Sequence, residues 1–393
     1  MNTSILHPDI QEFIIQNTGA DITKLALQKN PFPEVEWISI LNQIEARSKA
    51  KDKLPTWFTA SNIIFPSKIS VEQTSSEKTA AYKSSLISGK TLIDLTGGFG
   101  VDDYYFAKNF KVVAHCEINE ELSEIVKHNF QQLQSKNIFC YPVDSINILH
   151  ESETKWDWIY IDPSRRNDAK GKVFMLKDCL PNVPDLLDFY LEKANSILIK
   201  TAPILDISAG LSELKFVKNI HIVALDNEVK ELLFEIHKNY SGQVSIKTVN
   251  ILKEKTENFE FVLGNDSTCV SYSLPQKYLY EPNAAVMKSG GFEEISSFFE
   301  IDKLHKHSHL YTSETLIDFP GRRFEIQKMI PYSKSEMKNE FANKQANITT
   351  RNFPETVENI RKKWKIKNGG NLYCFFTTDV KDNKIVLICS KIN

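Results

Sequence analysis

The middle of the chain alternates short apolar runs with amphipathic stretches. From Thr91 onward, TLIDL, KVVAHC, NIFCY, WDWIYI and SILIKTA have the length and β-branched content of strands. Between them, apolar residues recur at helical spacing over residues 102–108, 119–134, 145–150 and 183–194. Strand, helix, strand at this cadence predicts βαβ units, and such units assemble into a mostly parallel sheet. The series continues with NIHIVAL and with NEVKELLFEIHKN, whose amphipathic spacing predicts a helix. VSIKTVNIL and FEFVLG then predict an antiparallel pair closing one edge of the sheet.

The flanks have a different texture. Residues 9–88 are helical in pattern, broken at NPFPEVEW and KLPTWF. EWISILNQIEA predicts an amphipathic helix before Lys49, and a second helix is predicted over residues 75–88 with Ser75 or Ser76 as its N-cap. The βαβ cadence ends at SLPQKYLYEPNAAVMKSGG. Beyond it, RRFEIQKMI, NLYCFFTTDV and KIVLICSK predict strands around one basic helix over residues 354–364. With 393 residues the chain exceeds one average domain, so two or three compact units are expected.

Composition narrows the class. A chain that is 41% hydrophobic and 25% charged is an ordinary globular one, and a net charge of −2 excludes a protein basic throughout. Any nucleic-acid contact must come from a local patch. The six cysteines (Cys116, Cys140, Cys179, Cys269, Cys374, Cys389) form no CxxC pair and mostly sit in apolar runs, which predicts buried reduced thiols and a cytoplasmic setting. No apolar run reaches membrane-spanning length, and the start lacks the pattern of a secretory signal, so neither a membrane span nor secretion is expected.

The sharpest chemical segment is the apolar strand ending in Asp94, followed by Leu95-Thr96-Gly97-Gly98-Phe99-Gly100-Val101-Asp102. A glycine-rich turn between a strand's carboxyl end and a helix's amino end is the usual crevice for a nucleotide-like cofactor, because glycine lets the backbone approach a ligand closely. The same turn also occurs for packing alone. A P-loop is excluded, since no Gly-Lys-Ser/Thr follows. A pyrophosphate would be repelled by Asp94 before the turn and by Asp102-Asp103 opening the helix. Those acids suit the cationic methionyl end of S-adenosylmethionine. The second strand ends at Glu117, placed to accept both ribose hydroxyls. The third is followed by Asp144-Ser145, placed at an adenine edge, and the fourth delivers Asp162-Pro163-Ser164-Arg165-Arg166. Each acid alone reads as a helix N-cap or a solvated turn. Four at successive strand ends of one series gather on one rim of the sheet.

The series DLTGGFG, an acid after strand two, VDS and DPSRR resembles class I S-adenosylmethionine-dependent methyltransferases. With NQIEARSKAKDKLPTW, SSEKTAAYK, YLYEPNAAVMKSGGF, FPGRRFEI and TTRNFPETVENIRKKWKIKNGG, nearly the whole chain is similar to the family of such enzymes that carries a C-terminal THUMP-like domain. The resemblance implies a helical region over residues 1–88, a Rossmann-like methyltransferase domain over 89–270, a small ferredoxin-like or linker subdomain over 271–315 and the THUMP-like domain over 316–393. It implies that Asp94, Thr96, Gly97, Gly98, Gly100 and Asp102 hold the methionyl part, that Glu117 holds the ribose, and that Asp144 with Ser145 meets adenine. Asp162 and Pro163 would sit where donor meets acceptor. Amino-methylating relatives carry Asp/Asn-Pro-Pro-aromatic, whereas Ser164 and Arg165 stand here. Arg165 and Arg166 would instead grip a phosphate or a carbonyl near the acceptor, or bond carboxylates at the rim.

Residues 334–367 hold nine Lys/Arg against four Asp/Glu. Arg361, Lys362, Lys363 and Lys365 surround Trp364, and Arg322, Arg323 and Arg351 add to the patch. Basic groups neutralise phosphates and aromatics stack on unpaired bases, so an RNA surface and a solvated helix face both fit. THUMP domains bind RNA, and by that analogy the expectation is a methyltransferase acting on tRNA or rRNA. The alternative is an RNA-binding or assembly factor with a non-catalytic methyltransferase-fold scaffold. His305, His307 and His309 alternate as ligands on a strand would, but no nearby Cys or acid completes a set, so no metal is expected.

Overall fold

In this computed structural model, residues 3–153, 155–165, 175–264, 269–341 and 344–392 are described. The chain divides into two compact units, residues 1–218 with 232–242, and residues 219–231 with 243–393.

The first unit opens with helices. Helix α1 (Trp37–Lys53) buries Ile40, Leu41 and Ile44 on one stripe, and α2 (Glu77–Leu86) starts at Ser76, whose hydroxyl accepts from the Thr79 N–H. The βαβ series follows as β1 (Gly89–Asp94), α3 (Val101–Phe106), β2 (Phe110–Cys116), α4 (Glu120–Gln132), β3 (Ile138–Tyr141), α5 (Ser145–Glu151), β4 (Trp156–Ile161), α6 (Val183–Lys193) and β5 (Ala194–Thr201). The strands stand in the order β5-β4-β1-β2-β3, all parallel. Reversal of direction from β1 places a crevice where β1 and β4 lie side by side, the usual ligand position of such sheets. Burial of Leu92, Ile93, Ile159, Ile161, Ile197 and Ile199 to 0% exposure explains why these strands read as continuous apolar runs.

The helical region is continuous with this unit's core. Ala46, Ala50, Trp57, Phe65, Val71 and Ala80 pack in one cluster with Phe99 and Val101 of the glycine-rich turn and with Val126 and Phe130 of α4. Packing of that kind seats the turn between the N-terminal helices and α4.

One element differs from its expectation. NEVKELLFEIHKN is not a helix but the strand β7 (Glu228–His237), reached from β6 (Val217–Leu225), and it pairs antiparallel with β5 over Leu232 to His237. Val229, Leu232, Leu233 and Ile236 imitate an i, i+3, i+4, i+7 stripe. The run from Glu231 to Ile236 is nonetheless buried at every position, which a one-sided helix cannot achieve. Satisfying the open edge of β5 outweighed local propensity.

In the second unit β8 (Ser245–Ile251) and β9 (Thr256–Val262) form the expected antiparallel pair. The rest is a seven-stranded sheet. Its strands are Asp302–Lys303, β11 (Tyr311–Ser313), β10 (Tyr278–Pro282), β12 (Gly321–Pro331), β15 (Lys384–Ile392), β14 (Tyr373–Thr378) and β13 (Asn347–Thr350), in that spatial order. Helices α7 (Lys334–Phe341) and α8 (Val357–Trp364) cover one face, with Met337, Phe341 and Ile360 packed on Phe376, Val386 and Ile388. Among the described residues no helix is long and apolar enough to cross a membrane.

Candidate cofactor and acceptor site

A cavity of about 270 Å³ opens at the carboxyl ends of β1 and β4. Asp94, Thr96, Gly97, Gly98, Asp102 and Asp162 all line it, so six of the singled-out residues converge. Register explains part of this: Asp94 pairs with Tyr160 across β1 and β4, and Ile161 pairs with Ile199 across β4 and β5. The residues that follow each strand therefore emerge together at one rim.

The turn is built by its first acid. Asp94 Oδ1 accepts from the Thr96 N–H at 2.7 Å and from the Thr96 hydroxyl at 3.1 Å, and Thr96 Oγ1 accepts from the Asp162 N–H at 2.7 Å. This chain ties β1 to the start of the Asp162 motif. The glycines have distinct causes. A Cβ on Gly97 would meet the His115 ring at 2.2 Å, and one on Gly100 (φ +73°) would meet Phe130 at 2.6 Å. At Gly98 the requirement is the left-handed φ of +55°. Gly97 and Gly100 are thus demanded by packing, and close approach to a ligand is not needed to explain them.

Acids crowd behind the turn. Burial, reinforced by the neighbouring Asp103 carboxyl, pushes Asp94 well above the ordinary carboxylate range, while His115 and the Thr96 N–H pull it back. Asp103 and His115 meet at 2.6 Å with neither exposed. Burial raises the Asp103 carboxyl and lowers the His115 imidazole, so both are driven toward neutral forms joined by a hydrogen bond. Asp102 is held differently. Burial works to raise it, but the charges of Lys83 and Lys200 and hydrogen bonds from Tyr160 and Ser75 leave it below its ordinary value. The Lys83 ammonium stands 3.2 Å from Asp102 Oδ1 and is wholly buried; Ser75 and Tyr160 donate to Oδ2 at 2.9 and 2.8 Å.

Glu117 and Asp144 are not among the residues lining the cavity. Glu117 stands beside it: Oε2 accepts from the Gly98 N–H at 3.0 Å and Oε1 from the Asn119 N–H at 2.7 Å. Asp144 is exposed and caps α5 through the Ile146 N–H at 2.9 Å, and Ser145 is buried in the first turn of that helix. Pro163 is buried, Arg165 is half-buried in a two-residue strand with Ser164 that pairs with Cys179–Leu180, and Arg166 lies outside the described residues.

Sequence reasoning missed several groups. Lys200, at the end of β5, places its ammonium 2.5 Å from Asp162 Oδ2. Ser70, Gln73, Thr74 and Ser75, before α2, line the cavity as well. The available signal was a polar core face on α2, where Glu77, Thr79, Lys83 and Ser84 are buried beside Ala80.

In the second unit, the anticipated RNA-contacting residues fall into two groups. Glu281, with 4% of its side chain exposed, accepts from Arg322 Nε at 2.7 Å and from Arg351 Nη2 at 2.9 Å. Arg323 reaches Asp318 at 3.3 Å, and Arg361 donates to the Ala346 carbonyl and Asn368. Those four arginines serve internal contacts. Lys362 and Lys365 are exposed, and Lys363 is held by Glu355 at 2.9 Å. A groove of about 830 Å³ is lined by Tyr332, Met337 and Trp364 with Lys334, Lys338, Lys363 and Lys365. His305, His307 and His309 lie in a turn region and not on a strand. His305 is engaged by Asn352 and Asp382, and no group able to hold a metal occurs among the described residues.

Residues 278–320 match a ferredoxin-like domain family and residues 321–391 a THUMP domain-like family. A crystal structure described as a "putative methyltransferase" from Porphyromonas gingivalis W83 is 32% identical, with 100% of this chain and 99% of that chain covered at a TM-score of 0.90. An rRNA methylase from Streptococcus thermophilus is 13% identical, covering 41% of this chain and 94% of that one at a TM-score of 0.30. TrmK of M. capricolum, in complex with S-adenosyl-homocysteine, is 17% identical, covering 41% and 68% at 0.32. No curated protein matches. Full-length coverage at 32% identity, together with the THUMP-like match, shows that the chain belongs to the class I methyltransferase family carrying a C-terminal THUMP-like domain.

Proposed function

We propose that this chain transfers the methyl group of S-adenosylmethionine to a structured RNA, tRNA or rRNA, in the cytoplasm. The observation that carries the reading is the cavity at the ends of β1 and β4, where the glycine-rich turn and Asp162 face one space. Residues 94–102 would receive the methionyl part and Glu117 the ribose, re-aimed from the backbone N–H groups that it now accepts. Asp144 and Ser145 would meet adenine. Transfer is an in-line displacement at the sulfonium, so holding the nucleophile against the methyl group is the main contribution. Residues 89–270 would carry the chemistry and 316–393 the docking, with Lys334, Lys338 and Lys365 of the groove and the exposed Lys362 of α8 meeting phosphates beside Trp364. Arg322, Arg323, Arg351 and Arg361 would serve the fold of that unit through their internal contacts.

The test is a calorimetric titration of the purified chain with S-adenosylmethionine, followed by transfer of labelled methyl to RNA from cells lacking the gene. Saturable binding and label in RNA are expected. A folded protein that binds no cofactor and labels no RNA would sink the reading. The scaffold alternative draws on the contact between Asp162 and Lys200, which leaves Asp162 already occupied on one oxygen. Cells whose gene carries Asp162→Ala and that keep full function would favour it.

A further inference from the structure

Asp162 and Lys200 form a two-point reader for the acceptor. Ile161 pairs with Ile199, so the next residues of β4 and β5 project side by side at the rim, and their charged ends meet at 2.5 Å. Both line the cavity with Asp94, Gly97 and Tyr160. Asp162 Oδ2 takes the lysine; no bond to Oδ1 occurs among the described residues. An ammonium has three donors, so Lys200 can keep Asp162 and still direct an N–H outward. The site thus presents an acceptor and a cationic donor next to each other.

Two kinds of nucleobase edge complement such a pair. One is an amine beside a ring nitrogen; the other is a lactam, in which a ring N–H stands beside a carbonyl. A cation bonded to the ring nitrogen of the first draws the amine's lone pair into the ring and makes the amine a poorer nucleophile. The same cation on a lactam carbonyl favours the anion that forms when the N–H is lost, because charge develops on that oxygen. The aromatic that stacks on the amine-bearing base in amino-methylating relatives is also absent after Asp162, where Ser164 and Arg165 stand.

We propose that the acceptor is a ring nitrogen of a lactam base, guanine, uracil or hypoxanthine, with Asp162 accepting its N–H and Lys200 donating to the adjacent carbonyl. This rests on the methyltransferase reading above. In the step, the N–H proton passes to Asp162, and the nitrogen's electron pair forms the N–CH3 bond. The C–S bond breaks with its pair staying on sulfur, which turns the sulfonium into neutral S-adenosylhomocysteine. Lys200 stays protonated and bonded to the oxygen throughout.

The experiment uses the full chain, labelled S-adenosylmethionine and total RNA from cells lacking the gene, with the product digested to nucleosides and identified by mass spectrometry. A methyl on a lactam ring nitrogen is expected. Lys200→Met should lower transfer on the order of 100-fold while calorimetric cofactor affinity stays unchanged, and Lys200→Arg should recover part of the loss. Asp162→Asn should slow transfer similarly and alter its pH dependence. Label on an exocyclic amine, an adenine ring nitrogen or a ribose overturns the lactam assignment and leaves the methyltransferase reading standing. Loss of cofactor affinity in Lys200→Met, with normal turnover at saturating cofactor, assigns the lysine to the methionyl carboxylate and overturns it too. No label from a wild-type protein that binds cofactor overturns both.

Discussion

Replacing Lys83 by Met isolates the buried pair behind the glycine-rich turn. The ammonium is 0% exposed, the Asp102 side chain 11%, and they stand 3.2 Å apart. At an effective dielectric near 20 their attraction is about 5 kcal/mol, most of it offset by the cost of taking both charges out of water. Removing one partner strands the other, which typically costs about 3–5 kcal/mol. Met nearly matches the lysine stem, so lost packing adds less than about 1.5 kcal/mol. Ser75 and Tyr160 still donate to Asp102 in the variant. The expected loss is therefore about 3 kcal/mol, near the lower end. Urea denaturation followed by tryptophan fluorescence reads it, since Trp57 is fully buried in this unit's core. The pH dependence gives a second reading. In the wild type Asp102 is held below its unfolded value, so its contribution is complete at neutral pH and is lost only as pH falls through that lowered value. Losing Lys83 removes the largest of the influences that offset burial, so Asp102 titrates higher in the variant, and the gap between variant and wild type should narrow as falling pH protonates that carboxyl. Lys83→Met combined with Asp102→Asn should recover most of the loss. A pH-independent loss below about 1 kcal/mol would refute the claim that this pair is desolvated.

Three further outcomes test other parts of the site. Gly97→Ala should destabilise the first unit by about 1–3 kcal/mol, the range for overpacking, because the new methyl would lie 2.2 Å from the His115 ring; in thermal melts the same substitution should cost less when made in a His115→Ala background. Glu117→Ala should weaken S-adenosylmethionine by on the order of 1–3 kcal/mol, and an unchanged affinity would mean that the acid does not hold the ribose. Binding should also release a proton, because a cation beside Asp94 lowers a carboxyl that burial has raised; calorimetry in buffers of different ionisation enthalpy detects it, and identical enthalpies would contradict it. On the C-terminal unit, Lys362→Ala with Lys365→Ala should leave stability intact and flatten the salt dependence of RNA binding, whereas Arg351→Ala should cost about 1–3 kcal/mol by removing one of the two arginines that bond buried Glu281.

The sequence by itself determined the βαβ cadence, the glycine-rich turn and the acids at the strand ends, because these are local signals. Apolar runs of strand length, an N-cap serine before α2 and a turn that needs positive φ are written within a few residues of where they act. It also located Asp94, Thr96, Gly97, Gly98, Asp102 and Asp162 in order along the chain, and one crevice collects them. Tertiary structure decided what those residues meet. β7 became a strand because β5 had an edge to satisfy, although its apolar spacing was helical. Lys83 and Lys200 lie 19 residues before Asp102 and 38 after Asp162, and only the packing of α2 and the register of β4 on β5 bring each to its carboxylate. The same holds for the basic patch, where composition counted charges and the fold divided them. Arg322 and Arg351 converge on one buried glutamate 41 and 70 residues away, and Lys362 and Lys365 stay at the surface. A charge's partner is set by distance in space, and chain spacing carries that information only within a helix turn or a hairpin.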